Sequence, residues 1–140
     1  MSEGTMKKII KVSPSEMAEQ REYTELVRTV LTSRFEPSQP LAFVHTYGCQ
    51  GNVSDGERIK GILESLGYGF TDDVEKADLI LYNTCAVREH AEDRIYGNVG
   101  AIKRLKKTNP NLIIALCGCM MQEPEVVENI KKHYKFVDIV

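Results

Sequence analysis

The chain has 140 residues, a formal net charge of −2, 42% hydrophobic and 27% charged side chains, the balance of one ordinary globular domain. A chain of this size buries about two thirds of its unfolded surface and needs no disulfides to fold. Its near-neutral charge argues against a protein that grips nucleic acid alone, because that affinity rests on counterion release by many Lys and Arg. No run approaches the roughly 18 apolar residues of a membrane span. Met1 to Met6 lack a basic-then-apolar leader, so a cytoplasmic protein is expected. Four cysteines in such a chain are expected to stay reduced and to bind metal or do chemistry.

Ser13-Pro14-Ser15-Glu16 is a capping box with proline in the first helical position. Tyr23, Leu26, Val27, Val30 and Leu31 then fall on one face of an amphipathic helix, and Glu36-Pro37-Ser38-Gln39-Pro40 ends it as a linker. Residues 1–40 therefore read as an extension, and residues 41–140 as the main domain. Leu41 to Thr46 predicts a buried strand, Asn52 to Leu66 a helix whose Ile59, Ile62, Leu63 and Leu66 share a face, and Gly67 its left-handed stop. A weak strand is predicted near Tyr68 to Thr71 and a strong one at Leu79 to Thr84. A long helix should run from Val87 to Lys107 with the stripe Val87, Ala91, Ile95, Val99 and Ile102, ended by Asn109-Pro110 after a basic last turn. Leu112 to Cys117 predicts the next strand, Pro124 opens a helix carrying Val126, Val127 and Ile130, and Phe136 to Val140 reads as a last strand. Strands that are apolar throughout, each followed by a helix, imply a mostly parallel sheet covered on both faces. The expected class is α/β, a three-layer flavodoxin-like or Rossmann-like domain preceded by an N-terminal helix.

Cys49, Cys85 and Cys119 each stand where a strand hands over to a helix, which puts all three on the carboxyl edge of the sheet, where open α/β sheets bind ligands. In a 2-1-3-4-5 strand order the first, third and fourth strands are neighbours about 4.8 Å apart, so three thiols can meet within roughly 10 Å. Nearby helix N-termini would favour the thiolates, and Gly48, Gly51 and Gly118 would let backbone pass close to a bulky ligand. Three soft thiolates suit a cubane iron–sulfur cluster with one iron left open; tetrahedral zinc with His45 or His90 as fourth ligand, or merely buried thiols, remain open beside it. Cys117, inside the strand run, reads as a small buried hydrophobe, and a Cys117–Cys119 redox pair would be strained.

Tyr47-Gly48-Cys49-Gln50, Asn83-Thr84-Cys85-Ala86-Val87-Arg88-Glu89 with Ala91-Glu92, and Gly118-Cys119-Met120 with Gln122 together resemble the N-terminal domain of radical-SAM methylthiotransferases over about Leu41 to Val140. The continuation after Cys85 is similar to the MiaB type, which methylthiolates an isopentenyl-modified adenosine beside the tRNA anticodon; threonylcarbamoyl-adenosine and ribosomal-protein subgroups are the related alternatives. The resemblance implies that Cys49, Cys85 and Cys119 ligate an auxiliary [4Fe–4S] cluster that supplies or carries the inserted sulfur. It further implies tRNA as partner, and a second [4Fe–4S] cluster with S-adenosylmethionine in a radical-SAM domain of the same polypeptide. That domain's CxxxCxxC motif and the RNA-binding module are not within these residues, so this fragment alone is expected to be inactive. Gly51 stands where Met is usual in the family and Gly56 where Ser is usual.

Other residues have a bland reading beside a functional one. Asn52 and Asn83 could donate toward cluster sulfurs, or cap a helix and form a turn. Arg88 and Glu89 could face the substrate or form an exposed pair. His45 reads as packing, His90 and His133 as surface residues, and Asp55 and Glu57 as first-turn acids favouring the helix dipole. Lys103, Arg104, Lys106 and Lys107 could touch tRNA phosphates or complement a helix C-terminus. A zinc-stabilised, non-catalytic interaction domain and a thiol sensor using Cys117 and Cys119 are the rivals from other functional classes.

Overall fold

The computed structural model describes residues 12–47, 50–84 and 91–140, and leaves aside the side chains of residues 50–53 and 91–92. The element order is α1 (Pro14–Phe35), β1 (Leu41–Thr46), α2 (Gln50–Ser65), β2 (Gly69–Phe70), β3 (Leu79–Thr84), α3 (Ala91–Ile102), α4 (Leu105–Thr108), β4 (Ile113–Gly118) and α5 (Pro124–His133). Short 3-10 helices lie at Val74–Lys76 and Cys119–Gln122. The four strands form one parallel sheet in the order β2-β1-β3-β4. The α/β fold with helices on both faces is the expected one.

From β1 the chain crosses through α2 to β2 on one side, and from β3 it crosses through α3 to β4 on the other. Parallel crossovers share one hand, so opposite directions of travel put α2 and α3 on opposite faces. Two cores result. Ile80, Tyr82, Ile114 and Leu116 meet Ile95, Val99 and Ile102 of α3 and Val126 and Ile130 of α5. Ala42, Leu79 and Ala115 meet Leu63 of α2 and Leu31 of α1 on the other face. Each fully buried aliphatic side chain in these layers contributes about 1.5–3 kcal/mol relative to exposure.

Several boundaries depart from expectation. The α1 capping box forms as read, with Ser13 Oγ accepting from Glu16 N–H and Glu16 Oε2 accepting from Ser13 N–H. Only the last turns of that helix reach the domain, through Leu31 and Phe35; Tyr23, Leu26, Val27 and Val30 stay exposed. Ile59 and Leu63 of α2 and Leu66 just after it pack inward, but Ile62, at the edge of that stripe, is 61% exposed. Gly67 takes φ +105°, the expected left-handed stop.

The single helix predicted to reach Lys107 is two helices. Lys103, Lys106 and Lys107 donate to carbonyls three residues back, at 3.3, 3.3 and 3.1 Å, which tightens the turn between α3 and α4 and keeps Leu105 in the core. The predicted start at Val87 lies outside the described residues. At the end of the chain no fifth strand forms, only an isolated bridge from Ile139 to Ala115. Backbone bonds still join this stretch to β4, from Leu116 N–H to the Ile139 carbonyl at 2.8 Å and from Asp138 and Ile139 N–H to the Ile114 carbonyl at 2.8 and 3.2 Å, while the Asp138 carboxylate accepts the Ile114 N–H at 2.9 Å and Lys106 Nζ at 2.6 Å.

Candidate metal centre

The carboxyl ends of β1 and β3 flank the point where the strand order reverses, the position at which sheets of this topology hold ligands. Three strand exits meet at this edge. β1 and β3 are in register through Thr46 and Asn83, and β3 and β4 through Thr84 and Gly118. Thr84 directly precedes Cys85 in the sequence, Gly118 directly precedes Cys119, and Tyr47 stands two residues before Cys49. Cys49 and Cys85 themselves lie outside the described residues, as do Gly48, Arg88, Glu89 and His90.

The β1 exit is held by aromatic packing and one backbone bond. Tyr47 N–H donates to the Asn83 carbonyl at 2.8 Å, and Asn98 Nδ2 on α3 donates to Tyr47 Oη at 2.6 Å. The Tyr47 ring stands edge-on to Tyr82 and to His45, with centroids 5.6 and 4.5 Å away. Burial, with the neighbouring Tyr47 second, pushes the Tyr82 phenol up to about 12. Burial also raises Tyr47, against the bond from Asn98 and the charge of Arg94. His45 is driven down by burial first and Arg94 second, which favours its neutral form. Its rings with Phe43, Tyr47 and Tyr82 make it a packing residue, as the sequence suggested.

Two buried polar side chains tie β3 to β4. Thr84 is fully buried, and its Oγ1 donates to the Cys117 carbonyl at 2.6 Å. Asn83 is 2% exposed, and its Oδ1 faces the Cys117 thiol at 3.9 Å, a contact at the limit for sulfur. Asn83 therefore sits in the sheet and forms no turn. Beyond them Gly118 takes φ +99° and ψ −174°. A Cβ there would meet Thr84 N at 2.6 Å and Asn83 Oδ1 at 2.7 Å and would overlap the Thr84 carbonyl oxygen, so only glycine fits.

Cys119 follows, exposed, as the first residue of the 3-10 helix that Met120 anchors in the core. The helix read as opened by Pro124 begins there, after that 3-10 turn. Cys117 contrasts with it. It lies in β4, half-buried, with its thiol pushed up by burial and, second, by the Asp55 carboxylate. The exposed thiol is the one available to a soft metal, and the half-buried one is held protonated.

α2 begins at Gln50, so Asn52 is inside the helix and does not cap it, and Asp55 and Glu57 lie past the first turn. His133 is exposed at the last position of α5. The basic patch is largely engaged: Arg104 pairs with Glu75 at 2.5 Å, Lys106 with Asp138 at 2.6 Å, and Lys103 lies 5.9 Å over the Phe136 ring. Among the described residues no three His, Cys, Asp or Glu side chains are grouped for a metal ion. No helix among them is long and apolar enough to cross a membrane. The residue whose part escaped sequence reasoning is Thr84; its only signal was a β-branched hydroxyl residue at the end of an apolar strand.

Curated relatives match this chain over two thirds to all of its length. The chain is 48% identical over 144 aligned residues, all of this chain and 30% of the relative, to a tRNA-2-methylthio-N(6)-dimethylallyladenosine synthase of Acetivibrio thermocellus. It is 44% identical over 96% of its length, and 28% of the relative, to the protein of the same name from Clostridioides difficile. A third, from Alkaliphilus oremlandii, is 58% identical over 69% of this chain and 21% of the relative. The chain thus spans less than a third of the length of these relatives. The model of the family described as uncharacterized protein family UPF0004 matches residues 42–140. That match takes in the whole sheet and all three strand exits but for the first residue of β1, and the chain belongs to this family.

Proposed function

We propose that residues 41–140 are the auxiliary-cluster domain of a tRNA methylthiotransferase, with residues 1–40 as an extension, and that Cys49, Cys85 and Cys119 hold a [4Fe–4S] cluster. The parent enzyme would add sulfur and a methyl group at C2 of an isopentenyl-adenosine next to the anticodon, in the cytoplasm. The printed names of the relatives support the activity. Tetrahedral zinc and thiol-sensor readings have no observation of their own in their favour.

One observation carries the cluster reading: the residue before Cys85 and the residue before Cys119 are register partners, and the neighbouring β1 exit is bonded to the same strand end. Adjacent parallel strands are about 4.8 Å apart and one Cα step is about 3.8 Å, so chain connectivity favours thiols within reach of one inorganic centre. The fit is supported by the donor set: thiolate sulfur is the ligand type of iron–sulfur clusters, and Cys119 is exposed. When bound, the cluster would supply or carry the sulfur to be inserted. The protein's own part is to deliver three thiolates at one edge, to keep Cys117 half-buried within β4 and out of the ligand set, and to fix the strand ends. A radical-SAM domain with its own cluster and S-adenosylmethionine, and the tRNA, would complete the reaction.

Anaerobic reconstitution with iron and sulfide tests the reading. A brown protein with thiolate-to-iron charge-transfer absorption and close to four irons per chain is expected. A colourless protein that retains zinc refutes it and favours the zinc-stabilised domain.

A further inference from the structure

Among the described residues, Asn83 and Thr84 are the two buried polar side chains at the candidate edge, and both reach across to β4. The Asn83 carbonyl takes the Tyr47 N–H from β1, while its side-chain oxygen lines the space that glycine leaves free at position 118. The Thr84 hydroxyl grips the Cys117 carbonyl at 2.6 Å, two residues before Cys119. One dipeptide on β3 thus touches the exits of both neighbouring strands, and each exit leads within two residues to a candidate thiol. A hydroxyl is not needed there for packing: valine has the same shape, and a parallel strand pair closes its ladder without side-chain help.

We infer that Thr84 is a positioning residue for the cluster, its hydroxyl locking the Cys117 carbonyl so that Gly118 and Cys119 leave β4 in the one direction that serves a shared centre with Cys85. The inference rests on the cluster reading above and adds to it a residue that is not a ligand. Fixing a thiolate by its backbone lowers the entropy lost when the thiolates close on iron, and groups that orient ligands in this way commonly carry 10–100-fold in metal affinity.

The experiment compares Thr84→Val, which removes only the hydroxyl, with Thr84→Ser, which restores it. Each protein is melted metal-free, reconstituted anaerobically with iron and sulfide, and then challenged with an iron chelator while the charge-transfer band is followed. The expected result is cooperative metal-free melting for both, wild-type cluster loss for serine, and loss about tenfold faster for valine. Equal loss rates for valine and wild type overturn the inference, as does a serine variant as leaky as valine, because serine keeps the hydroxyl. Should valine not melt cooperatively, Thr84→Ala against Thr84→Ser gives the same comparison. A wild-type protein that takes up no iron refutes the cluster reading itself, which separates the two failures.

Discussion

Replacing Gly118 with alanine adds one methyl group at the tightest place in the structure. The backbone at φ +99° and ψ −174° lies in a region essentially reserved for glycine, a strain of roughly 1–3 kcal/mol for an L-residue. The new Cβ would also stand 2.6 Å from Thr84 N and 2.7 Å from Asn83 Oδ1, where real Cβ atoms do not go below 3.0 Å. Two of the clashing atoms belong to the β3 backbone and cannot rotate away, so overpacking adds about 1–3 kcal/mol. Alanine recovers about 0.4–1 kcal/mol by restricting the unfolded chain. The middle of these ranges gives a net loss of about 3 kcal/mol, a large part of the roughly 5–15 kcal/mol that holds a domain together. At about 2–4 °C per kcal/mol for a chain near this size, Tm should fall by roughly 5–15 °C. Urea and thermal unfolding followed by far-UV circular dichroism measure it. Gly97→Ala is the control: it lies inside α3 with open space around its would-be Cβ and should stabilise by about 0.5–1 kcal/mol. A Gly118→Ala protein that unfolds with the wild type refutes the claim that this position admits only glycine.

Cys49→Ala, Cys85→Ala and Cys119→Ala should each abolish stable iron binding after reconstitution while Cys117→Ala keeps it; iron and sulfide analysis of the four proteins decides, and equal loss from all four contradicts the ligand assignment. Tyr82 keeps its proton to about 12 when folded, whereas the unfolded chain releases it near 10. Its contribution to stability is therefore complete below about pH 10 and falls as pH rises from there toward 12, so Tyr82→Phe should flatten the alkaline decline in unfolding free energy. Ile130→Ala, in the core beneath α5, should cost about 2–5 kcal/mol, and Ile62→Ala, on the exposed side of α2, within about 0.5 kcal/mol of nothing. Comparable losses at the two positions would contradict the packing of α2.

The architecture was legible because the strands are apolar on both faces. Leu79 to Tyr82 alternates between the two cores, with Leu79 on one and Ile80 and Tyr82 on the other, and no polar residue interrupts it. Such a run suits only a sheet buried on both sides. What escaped were tertiary bonds made by residues that look ordinary in sequence. Asp138 lies inside the run read as a strand, Phe136 to Val140, yet its carboxylate takes the Ile114 N–H, and the pairing there is only a bridge at Ile139. Asp78 similarly accepts the Leu41 N–H at 2.9 Å and fixes the start of β1. The break at Lys103 and Arg104 goes with partners elsewhere in the chain, Glu75 and Phe136, which helical periodicity cannot see. Ile62 was misplaced by the opposite error: four apolar residues within one helix fit several stripes, and only the position of β1 beneath α2 selects among them.

The candidate site poses a different problem, since no local pattern marks it. In a parallel sheet every strand leaves by the same edge, so position relative to a strand end, and not distance along the chain, determines which residues can meet. Cys119 stands one residue past β4 and is exposed, while Cys117, only two residues earlier, lies within the strand and is half-buried. A shift of two positions thus separates an available thiol from a sequestered one. The same rule makes the residue just before each exit as informative as the cysteine after it. Gly118 must be glycine because Thr84 is beside it, and Thr84 is beside it because β3 and β4 run in register to their last residues. Moving that register by one position would turn Thr84 to the opposite face and break its bond to Cys117. The geometry at this edge is therefore set by the pairing of two whole strands, and a ligand held there would gain its rigidity from the sheet.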